Sequence, residues 1–285
     1  FVILIIIIIR SVTLPGAIKG VEYYLIPDFS KITGPVILDA LTQVFFSLGI
    51  GWGMMITYGS YLPKNQNIVS SSLWVGAMDT SVALLAGFMV FPAVFAFGGS
   101  PSQGPKLVFT VLADIFKVMP FGHIAGALFF LLLFFASITS TISMLEAPSA
   151  YFIDNRGWNR KKAATWVAIA AFLIGIPSAL SAGAVDSLTH MTVNIFGTQV
   201  TGFSDILDHL FGKLFMMLVV LATSLFTGWA FNINLLVDEI AQGAPGFKNA
   251  RILGVSPAQI WVFAVKYVSP IIIGLVTLNV LGVLG

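Results

Sequence analysis

Asp79 lies well inside the apolar run 67–98, in the tetrapeptide Met78-Asp79-Thr80-Ser81. A carboxylate with hydroxyls beside it makes a hard oxygen site, which suits a small cation. An ionisable side chain inside a membrane span costs about 2.5–3.5 kcal/mol on insertion scales and marks a pathway or a pair. The alternative is therefore a carboxylate paired with a base elsewhere. The run 121–152 carries Ala136-Ser137-Ile138-Thr139-Ser140-Thr141-Ile142-Ser143. Ser137, Ser140 and Thr141 share one helical face by their i, i+3, i+4 spacing. Such a face either binds a polar ligand or serves as ordinary packing glue between membrane helices. Glu146, farther along the same helix, calls for a partner that the sequence does not name.

A third element joins these two, the heptapeptide Ser47-Leu48-Gly49-Ile50-Gly51-Trp52-Gly53 in the middle of the apolar run 37–62. Each glycine costs a helix about 1 kcal/mol relative to alanine. Non-helical backbone at membrane depth is tolerated only where it is buried in protein or lines a cavity. Broken helices at the midplane are a device for binding substrates and ions in transporters; the competing reading is close helix packing. The remaining acids read more simply. Asp154 closes a helix at the surface, and Asp205 and Asp208 open the run 210–236, where the N-terminal helix dipole favours a carboxylate.

Several chemistries have no support. No Gly-x-x-x-x-Gly-Lys-Ser/Thr loop is present, so nucleotide hydrolysis is not expected. His123, His190 and His209 lack metal or haem spacing. There is no cysteine, hence no thiolate chemistry, and no Ser/His/Asp arrangement stands out. The net charge of +2 is too small and dispersed for nucleic acid. No enzyme activity and no organic cofactor are expected.

The elements that must position these residues are membrane helices. A 58% hydrophobic, 9% charged composition with a mean hydropathy of +0.97 describes an integral membrane protein. Spans are predicted at about 37–62, 67–98, 121–152, 161–182, 210–236 and 258–284, with a partial one at 1–9. That gives six full spans and half of a seventh, in one transmembrane domain over 1–285. The chain opens inside a span on Phe1, with no signal-peptide features, so a fragment lacking upstream helices is expected. Arg156, Arg160, Lys161 and Lys162 lie in one short loop, Lys64 in a tight turn, and Lys248 and Arg251 in the loop 238–256. The positive-inside bias makes these three loops cytoplasmic. Loops 10–36, 99–120 and 183–209 are then outside. In loop 99–120, Leu107, Val108, Val111, Leu112, Ile115 and Phe116 have helical, amphipathic spacing, either an inert interfacial helix or a lid. The polar stretch after Pro177 shows no clear period.

The order of these features resembles the sodium:neurotransmitter symporter family. Gln43-Val44-Phe45-Phe46-Ser47-Leu48-Gly49-Ile50-Gly51-Trp52-Gly53, followed by Thr57-Tyr58-Gly59-Ser60-Tyr61, is similar to its sixth helix. Phe134-Phe135-Ala136-Ser137-Ile138-Thr139-Ser140 is similar to its eighth. The resemblance runs over the whole chain, as the end of helix five to helix eleven of the bacterial type.

It implies an all-α polytopic bundle of the LeuT fold, incomplete without its N-terminal helices, in the plasma (inner) membrane. The implied function is sodium-coupled symport of an amino acid or related amine by alternating access; the rivals are an ion channel-like pore and an inactive fragment. Ser47 and Asp79 would bind one sodium, with Asp79 standing where many members have asparagine. The Ala136 carbonyl with Thr139 and Ser140 would bind a second. Phe46, Ser47, Gly49, Gly51, Trp52, Ser140 and Met144 would line the substrate pocket, with Phe46 as its outer lid and Trp52 where many relatives have phenylalanine. Asp208 would be the outer gate acid and Asp154 the inner one. Ala83 occupies a position where some relatives bind chloride through serine, so chloride dependence through that residue is not expected.

Overall fold

A computed structural model describes residues 2–101, 106–118, 120–251 and 254–284. Among these, five helices are long and apolar enough to cross a membrane: Ile68–Ala96, Gly122–Arg156, Arg160–Leu180, Phe203–Ala230 and Pro257–Val280. The half-span at the start is the helix Val2–Val12. The run 37–62 is two pieces, Gly34–Ser47 and Met54–Ser60, with six residues between them out of helix.

Two stretches differ from the sequence expectation in a physically readable way. Helix Phe203–Ala230 stops short of 236 because Phe231 turns extended, at φ −89 and ψ 150. Asn232 then caps a separate helix, Ile233–Gly243, its side chain accepting from the Asn234 N–H at 3.2 Å. The apolar run hid this stop because Ile233 and Val237 belong to the new helix and are buried there. In loop 183–209, a helical turn Asp186–Thr189 precedes an antiparallel hairpin, Thr192–Ile195 with Thr198–Thr201. Its two-residue turn is Phe196-Gly197, both at positive φ (49 and 88), the conformation that matches strand twist. The Asn194 side chain accepts from the Gly197 N–H at 2.8 Å.

The chain divides into two compact units, Phe1–Ile32 with Trp74–Thr141, and Thr33–Leu73 with Ile142–Gly285. The first is centred on Ile7, Leu14, Met89, Val94, Leu112, Ile115 and Phe129. Gly20 lets its helix settle on the Phe91 carbonyl, where a Cβ would sit 2.4 Å from that oxygen. The buried Ser11 hydroxyl donates to the Met89 carbonyl at 2.7 Å. In the loop segment Lys106–Val118, Leu112, Ile115 and Phe116 are buried, whereas the side chains of Leu107, Val108 and Val111 lie outside the described residues. Asp28 caps the turn Phe29–Lys31; the Ser30 hydroxyl, then Lys31, hold its carboxyl below the ordinary carboxylate range.

The second unit packs helices Phe203–Ala230 and Pro257–Val280 around Met216, Met217, Val220, Ile273 and Val276, with Phe45 and Ile50 against them. In lipid such contacts hold by dispersion and close fit, because burial there removes no surface from water. Its two ends carry different chemistry. At one, a Cβ on Gly243 would sit 1.9 Å from the Gln66 carbonyl oxygen, so the turn 63–66 and the end of helix Ile233–Gly243 touch through backbone. At the other, Asn279 donates to Asp39 at 3.0 Å, and Thr198 of the hairpin shares a cavity with them. The basic loops thus gather at one end of this unit and the hairpin at the other, the separation expected from their charges.

Candidate functional site: a broken helix and its two latches

Gly49, Gly51 and Gly53 have φ of +66, +97 and +78, values that side-chain-bearing residues avoid. Helix Gly34–Ser47 ends there in a Schellman motif. The Ile50 N–H bonds the Phe45 carbonyl and the Gly49 N–H bonds the Phe46 carbonyl, both at 3.0 Å, with Gly49 as the left-handed residue. Chain direction resumes as helix only at Met54, after Gly53. Gly51 also meets the packing reading. A Cβ there would lie 2.6 Å from Val220 Cγ2 and 2.9 Å from the Met216 carbonyl oxygen. The break is therefore both left-handed and pressed against a neighbouring helix.

On the hairpin side of the break, the Phe46 and Trp52 rings meet edge to face, centroids 6.0 Å apart at 80°. Phe46 and Asp208 line one cavity of about 280 Å³ with Thr42, Gln43, Gly212 and Lys213. Gly212 makes room for the Asp208 carboxylate and lies within ordinary contact of Phe46. Its missing Cβ would lie 2.5 Å from Asp208 Oδ1 and 3.8 Å from Phe46 Cε2. Asp208 begins a π-helical stretch running to Phe215, an irregularity frequent at functional sites. Lys213 Nζ stands 4.0 Å from its carboxylate, both about half exposed, so this pair contributes little.

On the side of the basic loops, Tyr58 donates to Ser143 at 2.7 Å and Tyr61 donates to Glu146 at 2.6 Å. Arg160 also donates to Glu146, whose side chain is only 15% exposed. Glu146 thus has two partners that the sequence did not name. Asp154 lines a cavity of about 460 Å³ there with Tyr61, Arg160 and Ala150 among its walls. Trp158 stacks on Phe152 with centroids 4.9 Å apart, and Lys162 Nζ lies over the Trp158 ring at 4.5 Å from its centroid, contacts that tie the basic loop together.

The remaining sequence-derived site residues divide between the units. Phe46, Ser47, Gly49, Gly51, Trp52, Met144, Asp154 and Asp208 belong to the second; Asp79, Ala136, Thr139 and Ser140 belong to the first. Asp79 is half-buried in Ile68–Ala96, with Thr80 and Ser81 donating to their own helix carbonyls at 2.8 and 2.6 Å. Thr139 Oγ1 donates to the Ala136 carbonyl at 2.8 Å, which puts two of the expected sodium oxygens side by side. Ser137 and Thr141 donate to carbonyls of the same helix. Sequence reasoning missed Tyr58, Tyr61 and Lys213. A usable signal existed, since Tyr58 and Tyr61 repeat the i, i+3 spacing of Ser143 and Glu146, the residues they meet.

The family model described as the sodium:neurotransmitter symporter family matches residues 1–283. An uncharacterized sodium-dependent transporter, YhdH of Bacillus subtilis (strain 168), is 37% identical over 284 residues, covering 100% of this chain and 60% of that protein. The sodium-dependent serotonin transporter of Drosophila melanogaster is 27% identical over 298 residues, 100% of this chain and 43% of that protein. Among solved structures, that of MhsT in complex with L-phenylalanine matches with a TM-score of 0.84 at 38% identity, covering 98% of this chain and 60% of that one. The chain thus spans about 60% of the length of the bacterial relatives it matches.

Proposed function

The chain belongs to the sodium:neurotransmitter symporter family, and on that premise we propose that the protein carries out sodium-coupled symport of an amino acid or related small amine. It is an integral, multi-pass membrane protein of the LeuT fold. The observation that carries the reading is the Schellman-terminated break at Gly49, Gly51 and Gly53, with an aromatic lid and a carboxylate on one side and a hydrogen-bonded latch on the other. A similar structure holding L-phenylalanine supports an amino acid as the substrate.

Roles follow the family resemblance residue by residue. Ser47 and Asp79 are assigned to one sodium. The Ala136 carbonyl with the Thr139 and Ser140 hydroxyls is assigned to another, an all-oxygen donor set that suits a hard monovalent cation. Phe46, Ser47, Gly49, Gly51, Trp52, Ser140 and Met144 are assigned to the substrate. Asp208 beside Phe46 acts at the outer gate. Asp154, in the cavity next to the Tyr61–Glu146–Arg160 latch, acts at the inner one. Access alternates because sodium binds the outward state better than the inward one, and a ligand shifts such an equilibrium only by its differential affinity.

Binding of labelled L-phenylalanine to the purified full-length protein, with sodium and with potassium in its place, tests the site. Asp79→Ala and Thr139→Ala each abolish the sodium-stimulated component if the assignment is right. Retention of that component in both variants overturns it.

A further inference from the structure

The three glycines of the break each leave a position where a Cβ would have stood, and each position is closed differently. At Gly53 the nearest atom is Ala147 Cβ at 3.7 Å, an ordinary contact. At Gly51 the space is closed by Val220 Cγ2 at 2.6 Å and by Met216 Cγ and the Met216 carbonyl oxygen, both at 2.9 Å. A branched side chain and main chain cannot step aside there. At Gly49 a single atom among the described residues lies within 4 Å, the Cε methyl of Met54 at 2.8 Å. We propose that Met54 is a specificity-determining residue for the transported substrate, a movable wall at Gly49 that sets how large a side chain the pocket admits. The proposal rests on the assignment of Gly49 to the substrate made above.

Three observations lead there. Glycine at 49 offers spare room by its residue type, yet that room is already filled by the tip of one side chain. The filler is the residue type best able to give way. Methionine is unbranched, with three rotatable bonds, so it fills an irregular gap and re-packs at low cost. Gly49 itself is buried, whereas Met54 is only half-buried, so the Met54 side chain has open space into which to swing. Position agrees with this role. Phe46, the proposed lid, belongs to the half-helix before the break, and Met54 opens the half-helix after it. Met54 therefore approaches Gly49 from the other half of the broken helix. A ligand with a larger side chain displaces the methyl from Gly49, and a smaller one leaves it in place. One methylene more or less in an apolar pocket changes discrimination by roughly 10-fold or more.

The experiment uses the full-length protein with labelled L-phenylalanine, displaced in the presence of sodium by unlabelled L-phenylalanine or L-tryptophan. Both ligands are aromatic, so a sulfur–ring contact acts on both and cancels in the ratio of their affinities, which then reads side-chain size. Met54→Ala should raise the affinity for L-tryptophan relative to L-phenylalanine at least 5-fold. Met54→Leu, whose side chain ends one atom short, should raise it at least 2-fold. Met55→Ala changes the next residue, which has no atom within 4 Å of the vacated Gly49 position, and should leave the ratio within 2-fold. Equal weakening of both ligands, or loss of all binding in both Met54 variants, assigns Met54 to holding the half-helix and overturns the proposal. A ratio moved as far by Met55→Ala overturns it too. If the unaltered protein shows no sodium-stimulated binding of L-phenylalanine, the proposed function falls and this inference with it. Sodium-stimulated binding with an unmoved ratio overturns this inference alone.

Discussion

The Tyr61 hydroxyl donates to Glu146 Oε1 at 2.6 Å, and Arg160 donates to the same carboxylate. This contact joins the half-helix that follows the break to helix Gly122–Arg156 and to the start of helix Arg160–Leu180. It lies beside the cavity that contains Asp154, so any widening of that cavity by movement of the half-helix must first break it.

Tyr61→Phe removes one donor and leaves Arg160 in place. A hydrogen bond to a charged acceptor contributes roughly 1.5–3 kcal/mol when buried; Tyr61 is 54% exposed, which reduces this to about 1 kcal/mol, about a 5-fold change in an equilibrium. We expect a thiol placed at Ala150→Cys, in the wall of the inner cavity, to react about 5-fold faster in the Tyr61→Phe background. An unchanged rate means that the latch does not hold the cavity closed.

Gly51→Ala introduces a Cβ at φ +97, 2.6 Å from Val220 Cγ2 and 2.9 Å from a main-chain oxygen. The methyl group cannot be accommodated by rotating a flexible side chain alone, because the Met216 carbonyl also stands in the way. Sodium-dependent uptake should fall at least 10-fold. Gly175→Ala, in the middle of helix Arg160–Leu180 with nothing within 4 Å of the added carbon, should leave both uptake and melting temperature intact.

Asp208 and Lys213 form an exposed pair whose own energy is small, about 0–1 kcal/mol. If Asp208 mattered only through that pair, Asp208→Asn and Lys213→Met would have equal effects. The proposed role of Asp208 as outer gate acid beside Phe46 predicts that Asp208→Asn lowers uptake at least 10-fold, whereas Lys213→Met changes it less than 2-fold. Equal, small losses in initial uptake rates contradict the gate role.

The hairpin turn carries its own strain. Phe196 is 65% exposed and sits at φ +49, where a non-glycine residue pays a steric cost that asparagine tolerates better. Phe196→Asn should raise the melting temperature slightly, by the equivalent of about 0.5–1 kcal/mol. A fall shows that the phenyl ring makes contacts worth more than the strain.

Much of this was legible in the residues, for reasons that also explain the failures. Three glycines at every second position announce a break because glycine is poor helix material at any position, a local property. The basic loops announce their side of the membrane by charge, also locally. The stop at Ala230 was invisible because the hydrophobic run continues through Ile233 and Leu235, and only Asn232 as a cap marks the new helix. The hairpin was invisible because its turn uses phenylalanine where asparagine is the usual signal. The Tyr61–Glu146 latch joins residues 85 positions apart, and no window of neighbouring residues contains both. Sodium assignments for Asp79, Thr139 and Ser140 rest on motif resemblance, since hydroxyls at helical spacing serve packing equally well.

The most direct test of sodium-coupled symport uses the full-length protein in sodium-free liposomes with labelled L-phenylalanine outside. An inward sodium gradient should drive accumulation above the external concentration, and a sodium ionophore should abolish it. Uptake that only equilibrates, or that is the same with potassium in place of sodium, would contradict the account.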